Sequence, residues 1–205
     1  MINNDEILFE WYKGQLGKYI NSDNREINIQ NRIIIPFLEK IFMGEEIEIV
    51  DTSTLYKNWN KHVGHDRTKY GGQYTPDILL ASSNWDIYNE NKNIDYYALF
   101  EVKVPTTSKE ERTHAINECT DYLKHVNKVV LTNGISWEFF DKSGSGELIS
   151  LEENDMYVCK RGEDKIINWK QGIDGQIIPD EWGKLISRIK SLVGKDKNAK
   201  TDISK

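Results

Sequence analysis

The sequence predicts an α/β fold in which helices flank a mixed central sheet. Apolar residues recur at helical spacing near both ends of the chain and in its middle, and short apolar runs between these segments are bounded by turn residues, as strands are. A length of 205 residues, of which 38% are hydrophobic, suffices for one domain with its own core. We expect a single domain over residues 1–193 and a disordered tail over residues 194–205.

Two helices are predicted at the start of the chain. The first covers residues 5–20, where apolar residues follow a helical period although Gly14 and Gly17 weaken it. The second can be capped near Asp23 or Asn24. Its apolar pattern resumes directly after Pro36, so we expect this proline to kink the helix rather than to end it.

Strand-like runs follow the second helix. Residues 47–51 alternate in polarity and predict a first strand, and the polar residues 53–73 predict a long loop. Two further runs, 74–81 and 96–104, are separated by a polar stretch. They predict an antiparallel hairpin with a long tip.

The second half of the chain carries recognisable start and turn signals. Ser108 and Glu111 have the spacing of a capping box ahead of a helix that ends near Tyr122. Asn133-Gly134 lies between two apolar runs and predicts a two-residue hairpin turn. The remaining expected elements are strands at 148–151 and 156–160 and a helix at 180–193.

Composition excludes several classes of protein. No run reaches the ~18 apolar residues of a membrane helix, and the first residues lack a basic and then apolar leader, so we expect a cytoplasmic protein without a membrane partner. Cys119 and Cys159 are expected to be buried thiols rather than a disulfide or a zinc site. The net charge of −6 argues against a basic coat but leaves room for a local basic groove.

The predicted hairpin brings together residues that can perform chemistry. Glu101 and Lys103 lie two apart on one strand and so share a face, and strand pairing can place Asp77 beside Glu101. Carboxylates suit Mg²⁺, and a lysine can orient or deprotonate an attacking water. This set predicts metal-assisted phosphodiester hydrolysis. The alternative is that the three are solvated edge residues or ordinary ion pairs.

Over residues 24–141 the sequence resembles the PD-(D/E)xK nuclease superfamily, and within it the N-terminal nuclease domain of type I restriction enzyme R subunits. The resemblance rests on Glu26 ten residues before Pro36, on TPDILL at 75–80, on ALFEVKVP at 98–105, on the helix ending near Tyr122 and on VVLTNGISWEFFD at 129–141. It implies a restriction-endonuclease-like fold. It also implies a catalytic set of Asp77, Glu101 and Lys103, with Glu26 as an additional helix carboxylate.

The resemblance implies a Mg²⁺-dependent deoxyribonuclease. Asp77, Glu101 and the carbonyl of Val102 would hold Mg²⁺, for which Mn²⁺ is expected to substitute, and Lys103 would position the water. Two departures stand out: Glu118 occupies the position, four residues before Tyr122, at which the family often has glutamine, and no G-x-x-x-x-G-K-[ST] motif is present. The protein is therefore expected to lack the translocating motor of a full R subunit.

Candidate contacts to DNA are less specific. Four basic residues before Asp77 could hold phosphates, although such a run is often only a solvated surface: Lys57, Lys61, Arg67 and Lys69. Tyr122 is a candidate base-stacking residue, with packing as the alternative. Two other functions stay open, an RNA nuclease and a non-cleaving module that binds nucleic acid or a restriction or phage-defence protein. An oligomer is also compatible with the sequence.

Overall fold

A six-stranded mixed sheet forms the centre of the fold. Its strands lie in the order in which they occur in the chain. They are β1 (Ile47–Asp51), β2 (Ile78–Ser82), β3 (Tyr96–Val102), β4 (Lys128–Thr132), β5 (Ser136–Asp141) and β6 (Gly146–Ser150). The computed structural model describes residues 4–53, 74–86, 94–105, 108–142, 146–153, 165–176 and 178–194.

One parallel pair interrupts an otherwise antiparallel sheet. β3 and β4 run parallel, and all the other neighbouring strands run antiparallel. β2 pairs with β3 in a register that places Ile78 opposite Phe100, which confirms the predicted pairing of these two runs. β2 begins four residues later than expected, so Asp77 lies directly before the strand rather than within it.

Helices cover both faces of the sheet. The first three pieces are α1 (Asn4–Ser22), α2 (Glu26–Ile29) and α3 (Ile35–Ile41), and a π-helical segment, Gln30–Ile34, joins α2 to α3. The later helices are α4 (Lys109–Tyr122) and α5 (Asp180–Lys190), with single 3₁₀ turns at Ile173–Gly175 and Ser191–Val193. Each of these helices is too short or too polar to span a bilayer; this holds for the described ranges.

The core is divided between the two faces. On one face, residues of α1, α3 and α5, such as Phe9, Phe37 and Trp182, pack on alternate sheet residues. On the other face, α4 packs on the intervening residues through Ala115, Cys119 and Tyr122. The three layers confirm the predicted α/β class, and Cys119 is a buried free thiol as expected.

The chain continues as a helix through Pro36, as predicted, by means of a π-helical turn. Pro36 lies in the first turn of α3, directly after the π segment. In a π-helix the hydrogen bonds shift to the residue five positions back, so the regular bonding pattern is already interrupted where the proline removes a donor. This segment was not predicted from the sequence.

The turn between β4 and β5 lies one residue later than predicted. Thr132 pairs with Trp137, so the central residues of the turn are Gly134 and Ile135, not Asn133 and Gly134. Gly134 has φ +84°, and the side chain of Asn133 accepts hydrogen bonds from the amides of Ile135 and Ser136. The asparagine thus closes the turn with its side chain, and Gly134 is the residue that adopts the positive φ.

Several predictions fall on residues that the structure does not describe. They are the basic residues of the 53–73 loop, the strand at 156–160, Cys159 and the tail after residue 194. The capping box at Ser108 and Glu111 is confirmed in both of its hydrogen bonds.

Candidate functional site

Asp77 is held by main-chain hydrogen bonds at the beginning of β2. Its N–H donates to Phe100 O at 3.0 Å, and its carboxylate Oδ2 accepts from the amide of Val102 at 2.7 Å. No described residue donates a hydrogen bond to its other oxygen, Oδ1. The backbone of β3 therefore fixes the carboxylate and leaves one oxygen available.

Glu101 lies near the end of β3, 4% exposed, on the face covered by α4. Its Oε1 accepts from Lys103 Nζ at 2.6 Å, and its Oε2 accepts from the hydroxyl of Tyr122 at 2.7 Å. Tyr122 comes from the last turn of α4. Two elements of the fold thus hold both oxygens of this buried carboxylate.

Lys103 directly follows β3, and its amide donates to Thr132 O of the parallel strand at 2.8 Å. Its ammonium contacts three carboxylates: Glu101 at 2.6 Å, Glu118 at 3.5 Å and Glu26 at 3.9 Å. Glu118 comes from α4 and Glu26 from the first turn of α2. The side chain of Glu26 is 49% exposed, so it lies at the solvent side of the group.

We call Glu26, Asp77, Glu101, Lys103 and Glu118 the acidic cluster. Burial raises the pKa of Asp77 to about 6, although the Val102 amide and Lys103 oppose the rise. Burial and then the charge of Asp77 raise the pKa of Glu101 to about 8, against the opposing effect of Lys103. Burial lowers the pKa of Lys103, but Glu101, Glu26 and Glu118 raise it by more, so the lysine stays protonated. One ammonium therefore faces an excess of negative charge.

The acidic cluster presents oxygen atoms, the kind of ligand that hard divalent cations prefer. In the described part of the chain no group of three or more His, Cys, Asp or Glu side chains is arranged to hold a metal. Mg²⁺ does not need such a group, because it is usually held by one or two carboxylates and keeps several waters. Asp77 Oδ1, Glu101 and the carbonyl of Val102 are the atoms that could bind it, and a cation there would offset the excess negative charge.

The structure brings together all four residues predicted for catalysis and corrects one candidate. Tyr122 is fully buried among α4 and sheet residues, so its ring presents no face on which a nucleobase could stack. Its hydroxyl instead donates to Glu101. The interpretation of Tyr122 as a nucleic-acid contact is wrong because the helix turns this residue toward the sheet.

Two residues at the site, Glu118 and Gln30, were not predicted from the sequence. Glu118 was noted only as a departure from the resemblance, yet its side chain reaches Lys103, and its Oε1 is 3.4 Å from His114 Nδ1. The four-residue spacing to Tyr122, which puts both on one side of the helix, is the signal that could have found it. Gln30, which is 2% exposed, donates to Asp77 O; nothing in the pattern distinguished it from an exposed helical glutamine.

Comparison of the chain with family models, with curated proteins and with solved structures gave no match. The acidic cluster is therefore the feature from which a function can be argued.

Proposed function

We propose that the protein is a Mg²⁺-dependent nuclease that hydrolyses phosphodiester bonds in DNA. The proposal rests on one observation: Asp77, Glu101 and Lys103 lie together at the end of β3, so that two largely buried carboxylates are close to one ammonium group. Such an arrangement is costly for folding, because the like charges repel and lose hydration. A metal-dependent reaction would explain why the protein contains an arrangement that lowers its folding stability.

Each residue has a distinct role in the proposed reaction. Asp77, Glu101 and the Val102 carbonyl would hold Mg²⁺, which supplies charge neutralisation at the phosphate when bound. Lys103, oriented by Glu101 and Glu118, holds and orients the attacking water. The Tyr122 hydroxyl keeps Glu101 in place, and Glu26, at the solvent side, is the further carboxylate that can reach the metal or its water.

We also propose that the fold is restriction-endonuclease-like. Support comes from the antiparallel β1–β2–β3 unit, from the helix α4 that joins β3 to the parallel strand β4, and from the location of the acidic cluster at the end of β3. The resemblance in sequence over residues 24–141 points the same way.

The test is cleavage of supercoiled and linear DNA with Mg²⁺ or with chelator. Wild type is compared with Lys103→Met, which keeps the aliphatic stem but loses the ammonium. The matched control is Lys170→Met, which removes a half-buried lysine paired with Glu181 outside the acidic cluster. We expect Mg²⁺-dependent cleavage by wild type and Lys170→Met, and none by Lys103→Met.

Three outcomes would contradict the proposal in different ways. Cleavage by Lys103→Met at the wild-type rate would assign the activity to a contaminant or to another site. Cleavage of RNA but not of DNA would correct the substrate. Binding of DNA without cleavage in any divalent metal would leave a non-cleaving binding module.

A further inference from the structure

Gln30 is a buried polar residue that bridges two parts of the site. It lies in the π-helical segment, is 2% exposed, and follows Glu26 by four residues, about one helical turn. Its Nε2 is 2.8 Å from Asp51 Oδ1, 3.1 Å from Ser53 Oγ and 3.2 Å from Asp77 O. A buried amide with these partners fixes the positions of the groups that it contacts.

The identity of the acceptors fixes the orientation of the amide. The carboxylate of Asp51 and the carbonyl of Asp77 can only accept hydrogen bonds, so the NH₂ end of Gln30 must face them. A glutamate at position 30 would place a carboxylate against Asp51 and Asp77 O. The position thus requires a donor of this length.

Asp77 O receives a second hydrogen bond that links the same parts of the fold. The amide of Thr52, directly after β1, donates to it at 3.0 Å. The hydroxyl of Thr52 donates to the carbonyl of the preceding residue, Pro76. Pro76 and Asp77 are therefore hydrogen-bonded to the end of β1, and Asp77 is also hydrogen-bonded to the π-helical segment. The π-helical segment directly continues α2, which carries Glu26.

We infer that Gln30 is a positioning residue, which fixes Asp77 relative to the helical segment that carries Glu26; this rests on the proposed function. Without the amide donor, Asp77 keeps its bond to the Val102 amide but loses its link to the helix. Small displacements of a ligand carboxylate slow a reaction far more than they weaken substrate binding. Gln30 thus affects the rate through Asp77 without contacting substrate.

The experiment uses Gln30→Met, which is close in size but has no donor, and Tyr12→Phe as the control. Tyr12→Phe also removes one buried hydrogen bond, to Gly134 O, in the apolar core outside the acidic cluster. We expect Gln30→Met to lower kcat by about tenfold or more with little change in KM for DNA. Tyr12→Phe, with a comparable loss of melting temperature, should keep the wild-type kcat.

A second measurement needs no activity. In the metal-free protein, hydrogen exchange at the amides of Thr52 and Val102 reports the hydrogen bonds that these amides donate to the carbonyl and the carboxylate of Asp77. In Gln30→Met both amides should exchange faster relative to amides in the centre of the sheet, and in Tyr12→Phe they should not.

The two readouts separate the inference from the proposed function. An inactive wild type with faster exchange in Gln30→Met would overturn the nuclease and uphold the positioning role. Unchanged exchange at both amides would overturn the inference whether or not the protein cuts DNA. A Gln30→Met variant with the kcat of Tyr12→Phe would also overturn it, because Gln30 would then be only structural.

Discussion

Asp77 and Glu101 are two largely buried carboxylates whose ionised forms lower the stability of the fold. Both carboxylates are removed from water, which raises the pKa of each, and the charge of Asp77 raises the pKa of Glu101 further. Lys103 offsets part of this cost, and the hydrogen bonds from Val102 and Tyr122 offset another part. A cation bound to the two carboxylates would remove the rest of this free-energy cost.

The first prediction follows at Asp77. Asp77→Asn removes a proposed metal ligand and a charge that raises the pKa of Glu101, so it should abolish the proposed cleavage while the metal-free protein becomes no less stable. Wild type should gain about 1.4 kcal/mol of stability at Mg²⁺ ten times above its Kd, and the variant should gain none. Thermal unfolding with and without Mg²⁺ measures both.

A matched control is Asp180→Asn. This carboxylate also accepts a main-chain amide hydrogen bond, from Ile173, but lies at the start of α5 outside the acidic cluster. The control should keep cleavage and the Mg²⁺ response. If wild type shows no Mg²⁺-dependent shift, the assignment of Asp77 as a ligand is wrong.

The second prediction concerns pH. The pKa values of Asp77 and Glu101 in the folded protein are raised to about 6 and about 8. In the pH window from about 4, the usual carboxyl pKa, up to about 8, the folded protein therefore binds more protons than the unfolded chain. Stability of the metal-free protein should therefore fall as pH rises through this window, first as Asp77 and then as Glu101 ionises. Urea unfolding in chelator at a series of pH values measures the slope.

Glu101→Gln tests the origin of that slope. The variant keeps the shape of the side chain but does not titrate, so its stability should depend less on pH in the upper half of the window. Saturating Mg²⁺ should also reduce the fall in wild type, since the bound ion favours the ionised carboxylates. A slope unchanged in Glu101→Gln would place its cause elsewhere.

At the scale of single elements, the sequence predicted the helix cap and the turn, which depend on residues close together in the chain. The capping box began α4 where expected because Ser108 and Glu111 satisfy each other's amides within one turn. The β4–β5 turn was predicted at the right place but one residue early, because the Asn133 side chain could close the turn from outside its centre. The π segment was not predicted, because Pro36 indicates that the hydrogen-bond pattern is interrupted but not how the helix accommodates the interruption.

The third prediction compares two glycines. Gly134 has φ +84°, and a Cβ there would lie 2.8 Å from Leu16 Cδ1, so Gly134→Ala should cost about 1–3 kcal/mol. Gly14 lies within α1, where an added Cβ meets nothing within 4 Å, and Gly14→Ala should stabilise by about 0.5–1 kcal/mol. Chemical denaturation of the two variants measures both signs; an equal effect of the two would contradict the turn geometry.

At the scale of the whole molecule, the sequence predicted the class of the fold and that Glu26, Asp77, Glu101 and Lys103 lie together, but not the contacts that support them. Pairing of β2 with β3 could be inferred from two apolar runs and a polar stretch. The contacts of Glu118 and Gln30 depend on how α4 and the π segment lie across the sheet. Such contacts between residues distant in sequence leave no periodic pattern in the chain.

The fourth prediction concerns the grip on DNA. If the four basic residues of the segment 53–73 bind phosphates, replacing them all by Ala should flatten the salt dependence of DNA binding, by ~0.9 in the log–log slope for each phosphate that is no longer neutralised. The four are Lys57, Lys61, Arg67 and Lys69. Binding is measured in the Lys103→Met background so that DNA stays intact.

The control for this prediction removes four exposed lysines from the rest of the surface, at Lys18, Lys124, Lys142 and Lys184. Its salt slope should equal that of the parent. An unchanged slope in the loop variant, or an equal reduction in the control, would mean that the loop residues only face water.

The order of the strands has a consequence for how the chain acquires its structure during synthesis. Because each strand pairs with the one made before it, the sheet can grow one neighbour at a time as the ribosome releases the chain. The layer around Phe9, Tyr12 and Phe37 is different, since Trp182 of α5 packs against all three rings. A nascent chain can therefore complete its sheet, including the strand that carries Glu101, while this aromatic surface still lacks its cover.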